Sequence, residues 1–286
     1  MLLTWVGALV LGLALVVFGF GPLFQDRVQR SMLRDYRVLV DQASNGAVAP
    51  AKAPALGSAV GIVEIGEVRV QQAVVEGVRS SDTRKGPGHV PGTAGLGQPG
   101  NSVVVGRRSG FGGPFGSIGK LTKGDEIVVT TTQGQSVYEV ASVKELALRN
   151  PPADGGNPGE PDKGSALVDD VFGPSQDDQL TLITSASKVP WNSGKATVVV
   201  ATMRDAPFPP MAQGGRSDRD TGGHPDGDAK APAVLVMLVY GLAMGASVVL
   251  YRRLPTRVAY LLTAAPIIAL TIITGETFSR LFPAWM

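Results

Sequence analysis

Three stretches without a single charged side chain set the first limit on this chain. A run of that length either crosses a hydrocarbon core of about 30 Å as a helix or is wholly enclosed by protein. Met1 to Gln25 is the first, Ala231 to Leu250 the second, and Val258 to Gly275, which carries Pro266, the third. A cleaved signal peptide competes for the first run. It lacks a basic stretch ahead of the apolar residues and a clear small-x-small site behind them, so an uncleaved anchor is expected. Three transmembrane helices follow as the expectation.

The second and third runs are joined by Tyr251 to Arg257, a short turn holding Arg252, Arg253 and Arg257. Short basic loops stay on the cytoplasmic side. That places the N-terminus inside as well, and everything between the first and second runs outside the cell membrane. Arg27, Arg30, Arg34 and Arg37 follow the first run and pull the other way; long domains are translocated largely regardless of flanking charge, so the short loop decides. Val28, Met32, Leu33 and Tyr36 in the same stretch come close to helical spacing. This segment is expected to continue the first helix or to lie on the membrane, its arginines at lipid headgroups.

The remaining organisation follows from composition. Residues 1–42 form the anchor and juxtamembrane helix, and residues 43–58 a Pro/Ala linker. Residues 205–230 are too polar and too rich in Gly and Pro to pack a core and are expected to be a disordered linker, leading to the C-terminal hairpin at 231–286. Between the linkers, 59–204 is an ordinary size for one domain. It is dense in strand signals: Gly61 to Gly77 alternates apolar and polar residues, and Ser102–Val105, Glu126–Thr131, Val137–Val143, Leu180–Thr184 and Thr197–Ala201 are rich in Val, Ile and Thr. Gly, Pro and Asp punctuate them, and Asn150 to Gly164 reads as a flexible loop. The fold class is therefore all-β, a barrel or sandwich.

Several functions are excluded at this level. The chain has no cysteine, which removes disulfides, thiolate metal sites and a cysteine nucleophile together. A net charge of +2 without a clustered basic face outside the membrane flanks gives no basis for nucleic-acid binding. Two histidines and no cysteines do not make a zinc site, His224 lies in the second linker, and nothing calls for a cofactor.

Six short motifs occur in a fixed order: IGEVRVQQAVVEG; Arg84 to His89 with Pro91-Gly92-Thr93; Pro99 to Gly106; Pro114-Phe115; Gly124 to Ile127; and Leu180 to Thr184. Together they resemble the sortase family, most closely the housekeeping-like, class E type of high-GC Gram-positive bacteria, over about Gly61 to Met203. The resemblance implies a closed sortase-like β-barrel with short helices and loops. It also implies a transpeptidase site in which a cysteine attacks a threonyl peptide bond of a sorting signal, a histidine works as acid and base, and an arginine holds the oxyanion or substrate.

Carried over residue by residue, none of the three remains. The position of the histidine is Arg107, whose guanidinium stays charged at any working pH and shuttles no proton. That of the cysteine is Ser185, a poor nucleophile without a base. That of the arginine is Lys195 or Ala196, depending on a one-residue shift. The expectation is a chain without transpeptidase chemistry, that is, no enzyme. His89 is either a loop-structuring residue or a substitute base for Ser185, and the first is favoured. Some members of the family bind calcium through loop carboxylates, which draws attention to Asp169, Asp170, Asp177 and Asp178, although paired aspartates beside a loop are more often simply solvated; no metal is expected.

The old catalytic groove would hold His89, Arg107, Arg108, Ser185, Trp191 and Lys195. Its positive charge either binds a carboxylate, an acidic peptide or an anionic glycan, or is merely exposed. Three functions stand in order. The first is a non-catalytic accessory or scaffold subunit that binds an integral-membrane protein in a cell-envelope complex, where Gly241, Ala243, Gly245 and Ala246 allow close helix approach. The second is a peptide- or glycan-binding module, and the third a weakly active serine-dependent transpeptidase or hydrolase.

Overall fold

The computed structural model describes residue 12 and residues 19–44, 53–149, 165–167, 171–187, 195–212 and 230–281. Its elements are α1 (Gly21–Ser44), β1 (Ala59–Ile65), β2 (Val70–Glu76), α2 (Ser80–Thr83), β3 (Gly88–His89), β4 (Asn101–Val105), β5 (Glu126–Thr131), β6 (Gly134–Arg149), β7 (Ser165–Leu167), β8 (Gln179–Ser185), β9 (Ala196–Met203), α3 (Lys230–Arg253) and α4 (Thr256–Ser279).

The strands pair in the order β5-β1-β2-β3-β4-β8-β9-β6, and β6 pairs back onto β5, so eight strands close into a barrel without a free edge. β7 lies outside the ring, parallel to the far end of β6. β2–β3 and β4–β8 are parallel neighbours within the ring. The interior takes alternate residues of each long strand: Val63 and Ile65, Ile127 and Val129, Tyr138 and Val140, Leu180 and Leu182, Val199 and Ala201, with Phe115 and Ile118 plugging the space between them. Each such Val, Leu, Ile or Phe side chain contributes roughly 1.5–3 kcal/mol on burial. A second cluster, with Val103, Val105, Ile183 and Val198 under Val171 and Phe172, covers the outside of β4, β8 and β9. β4 is thus buried on both faces, which is why Val103 to Val105 runs apolar without alternating.

Tyr138 is fully enclosed, and its hydroxyl accepts the Gly97 N–H at 3.0 Å. Burial pushes its phenol up to about 12. Tyr36 of α1 donates to Val60 O at 2.7 Å and is raised to about 12 for the same reason.

Those contacts add what the sequence did not show for the juxtamembrane stretch: α1, which begins inside the first apolar run, packs along the barrel, and the buried residues of its docked face include Gln25, Gln29 and Tyr36. The Gln29 amide donates to Ala73 O (3.0 Å) and Lys85 O (2.8 Å) and accepts the Ala73 N–H (2.7 Å), satisfying both backbone groups of one β2 residue. The arginines Arg27, Arg30, Arg34 and Arg37 face solvent. A departure from the sequence expectation is the start of the expected disordered linker. Asp205 to Ala212 runs back over the barrel, with Phe208 N donating to Gly97 O at 2.8 Å and Gln133 Nε2 to Pro209 O at 2.7 Å.

Among the described residues two helices, not three, are long and apolar enough to cross a membrane: Lys230–Arg253 and Thr256–Gly275. The first expected span, Met1–Gln25, lies outside the described residues except at Gly12 and 19–25. Only 17% and 22% of the apolar windows of α3 and α4 are buried, and Leu242 and Leu261 are 75% and 76% exposed, so these helices need a surrounding apolar phase. Thr263, Thr271, Thr274 and Thr277 return their hydroxyl protons to the carbonyls four residues earlier, which removes a polar cost in that phase.

Gln29→Ala deletes three hydrogen bonds and leaves a buried β2 N–H and C=O without partners, so it should destabilise the docked barrel by about 2–3 kcal/mol. Thermal unfolding of the full chain measures this; an unchanged midpoint would mean that α1 docks without Gln29.

Candidate functional site

Parallel pairing of β4 with β8 brings their C-terminal ends together, because Val105 sits opposite Ile183 and Gly106 N donates to Ile183 O at 2.9 Å. Arg107 and Arg108 leave one strand there and Ser185 ends the other. β9 begins antiparallel at the same point, with Ala196 opposite Ser185 and Ala186 N bonded to Lys195 O at 3.0 Å. Residues 107, 185 and 195–196 therefore meet at one end of the barrel. Gly106 is required for this turn, since a Cβ there would stand 2.3 Å from the Phe115 ring.

Arg107 is 3% exposed, not groove-lining; its Nη2 donates to Ser80 Oγ (2.6 Å) and Ser80 O (3.1 Å), and its guanidinium lies 5.2 Å from the centroid of the Phe111 ring. A buried guanidinium persists only when hydrogen bonds and a ring face replace its water. Arg108 turns the other way, half-buried, and Nη1 donates to Ser185 O at 3.2 Å. The Ser185 hydroxyl donates to Ser187 O at 3.0 Å and accepts the Ser187 N–H at 3.2 Å. Among the described residues these are its hydrogen-bond partners, and none is a base. Lys195 is exposed and Ala196 is packed in the outer apolar cluster. Trp191 lies outside the described residues.

His89 does not join this end. Its ring is 4% exposed in a different cavity, lined by Glu76, Leu96, Gln98, Thr131 and Met211 among others. Nδ1 meets Glu76 Oε2 at 2.9 Å, and Nε2 meets Ala94 O at 2.8 Å and Thr93 Oγ1 at 3.2 Å. Ala94 O only accepts, and Thr93 directs its own proton to Val90 O, so Nε2 carries hydrogen. Both ring nitrogens are committed to the loop that follows β3 and to β2, which leaves none for Ser185. Of the aspartates considered for calcium, Asp178 accepts the Gly100 N–H at 2.8 Å, Asp177 N–H bonds Ser175 Oγ at 3.2 Å, and Asp169 and Asp170 lie outside the described residues.

The sequence reading missed Ser80, Arg84, Phe111 and Gln25. Arg84 lies between two rings, 5.4 Å from the centroid of Phe24 on α1 and 5.9 Å from that of Phe111. Phe111 holds a positive φ of 41°, between the positive-φ glycines Gly110 and Gly112. A Cβ on Gly112 would stand 1.9 Å from Gln25 Oε1, so α1 rests directly on this loop. The run Ser109-Gly110-Phe111-Gly112-Gly113 is the one signal that could have pointed to it.

A sortase-domain family model matches residues 63–204. The chain is 33% identical over 104 residues to sortase D of Bacillus subtilis (strain 168), a match that spans 36% of this chain and 50% of that relative, about half its length. Similar solved structures include a Clostridium perfringens sortase D transpeptidase (19% identity, TM-score 0.48, 63% of this chain and 99% of that one). Sortase E of Streptomyces avermitilis is another (25% identity, TM-score 0.40, 57% and 97%).

Replacing Arg107 with Met removes two charge-assisted hydrogen bonds to Ser80, an expected loss of about 2–3 kcal/mol. A thermal midpoint equal to that of the unmodified chain would show that Arg107 is dispensable to the fold and free for a ligand.

Proposed function

We propose that this chain, whose residues 63–204 match a sortase-domain family model, is a membrane-anchored pseudo-sortase, of the class E-like type, acting as a non-catalytic accessory subunit of a cell-envelope membrane complex. The observation that carries the reading is what stands where β4, β8 and β9 meet: a buried arginine tied to Ser80, a serine bonded to its own chain, and a lysine or alanine. A transpeptidase step needs a thiolate or activated hydroxyl and a group that gives and takes a proton. Among the described residues of this junction neither is found, and His89, the nearest candidate by sequence, is committed elsewhere.

The extra hairpin supports the partner half of the proposal. One anchor suffices to tether a barrel, while α3 and α4 add lateral surface on which Gly241 and Gly245 face open space. The proposed arrangement keeps the N-terminus and the Tyr251–Arg257 loop in the cytoplasm and the barrel outside, by the loop-charge argument. Burial of Arg107 weakens the alternative of a peptide- or glycan-binding groove centred on that side chain.

Incubation of the full chain with a sorting-signal peptide and an amine acceptor should give no acyl transfer or hydrolysis above background, with Ser185→Ala indistinguishable. Purification from native membranes in mild detergent should retain one integral-membrane protein in fixed stoichiometry. Turnover abolished by Ser185→Ala contradicts the first half of the proposal, and a lone monomer contradicts the second.

A further inference from the structure

A second built surface lies where the loop entering β4 meets the β5–β6 turn, at the opposite end of β4 from Arg107. Gln98, 3% exposed, donates from Nε2 to Gln133 Oε1 at 3.0 Å, which fixes both carboxamides. Each is left with one further group to offer: Gln98 Oε1 accepts and Gln133 Nε2 donates. Beside them Gly97 and Gly134 hold φ of 76° and 143°, and their missing side chains leave room for a ring.

Asp205 to Ala212 lies across these groups. The Phe208 ring covers both glycines: a Cβ on Gly134 would stand 2.6 Å from its Cζ, and one on Gly97 3.1 Å from its Cδ2. Phe208 N donates to Gly97 O at 2.8 Å, Gln133 Nε2 donates to Pro209 O at 2.7 Å, and Met211 N donates to Gln98 Oε1 at 3.2 Å. Pro207, Pro209 and Pro210 carry no N–H, so Phe208 and Met211 hold the only backbone donors from 207 to 211, and the barrel accepts both. Prolines also bias the residues before them toward extended backbone, which lowers the entropy lost on docking. Met211 and Ala212 then line the His89 cavity together with Leu96 and Gln98.

We propose that this surface is a recognition site for extended, proline-rich peptide carrying an aromatic residue ahead of proline, and that Asp205 to Ala212 is its resident, displaceable occupant. The ring slot reads the aromatic side chain, and the glutamine pair with Gly97 O reads the sparse backbone groups that prolines leave. The attachment is of a kind that opens locally. The segment joins no strand ladder, the Phe208 ring is only half-buried, and the bond to Pro209 O lies in the open, while the barrel closes without it. Release uncovers both glycines, both glutamines and one wall of the His89 cavity. α1 sets this site apart from the strand junction: Phe24 and Gln25 at its start touch Arg84 and Gly112, whereas Tyr36 reaches Val60, which lines the His89 cavity. With residues 1–25 taken as a membrane span, the junction lies toward the membrane and the peptide site faces away from it. The site is independent of whether the junction turns over a substrate.

A fluorescein-labelled peptide with the sequence of residues 205–212, added to the full chain in mild detergent and followed by anisotropy, tests this. Phe208→Ala loosens the resident segment, so the peptide should bind that variant about tenfold more tightly than the unmodified chain. The same peptide with alanine in place of its phenylalanine should bind the variant about tenfold more weakly. Adding Gln98→Ala to the variant should weaken the intact peptide clearly. Absence of binding to the Phe208→Ala chain would overturn the site, and equal binding to both chains would overturn displacement of the resident segment. Equal binding of the alanine peptide would overturn the aromatic anchor, and binding untouched by Gln98→Ala would overturn the glutamine pair. If Phe208→Ala does not fold, hydrogen exchange of the unmodified chain decides. Excess peptide should speed exchange at the Phe208 and Met211 amides and leave β8 unchanged; unaltered exchange at those two amides would overturn the proposal.

Discussion

The carboxamide of Gln29 faces both backbone groups of Ala73 and the carbonyl of Lys85, and the placement of the rest depends on this pairing. A side-chain amide matched to a backbone amide acts as one more rung on the sheet, with its three hydrogen bonds sheltered from water. It specifies rotation and register of α1 where a purely apolar face would tolerate sliding. With α1 seated, Gln25 fills the space that Gly112 leaves open, Phe24 closes over Arg84, and Tyr36 ties the other end to Val60. A barrel that would otherwise swing on a linker is held in a set orientation against α1.

The same economy appears at the strand junction. A catalytic centre keeps polar groups poised and partly unsatisfied, ready for substrate. Here Arg107 is drawn inward to Ser80, and the Ser185 hydroxyl closes a small loop with Ser187. These interactions tie the strand ends to neighbouring stretches of the chain. Arg108 donates to Ser185 O on the other side of the strand end, so both guanidiniums are tied to backbone carbonyls.

Much of the barrel was legible in the sequence because its information is local. Val, Ile and Thr runs between Gly, Pro and Asp marked β4, β5, β6, β8 and β9, and the parallel β4–β8 pair explains how Gly106-Arg107 and Thr184-Ser185, far apart in the chain, come to be neighbours. What sequence could not supply was side-chain direction across elements. Arg107 and Arg108 are adjacent, yet one is buried and the other half-exposed, and nothing in the pair says which. His89 belongs to a motif near the site, but Glu76 and Ala94 hold it in another cavity. Gln25 only closed the first apolar run and Gln29 carried no signal, because a buried glutamine is recognisable only once the backbone it pairs with is in place. The ordered course of Asp205 to Ala212 was hidden likewise: Phe208 is one aromatic in a Pro-rich stretch, and its partner at Gly97 lies on a distant loop.

Because the chain contains no cysteine, a single spin label can be placed at any chosen position. Labels at Arg79→Cys, beside the junction, and at Ala206→Cys, beyond the end of β9, report depth through relaxation by a membrane-soluble and a water-soluble agent in reconstituted bilayers. The label at 79 should lie at the headgroup level and that at 206 roughly 15 Å or more farther out, about the rise along α1 between Gln25 and Tyr36. Equal depths, or the reverse order, would contradict a barrel held by α1 with its strand junction against the membrane.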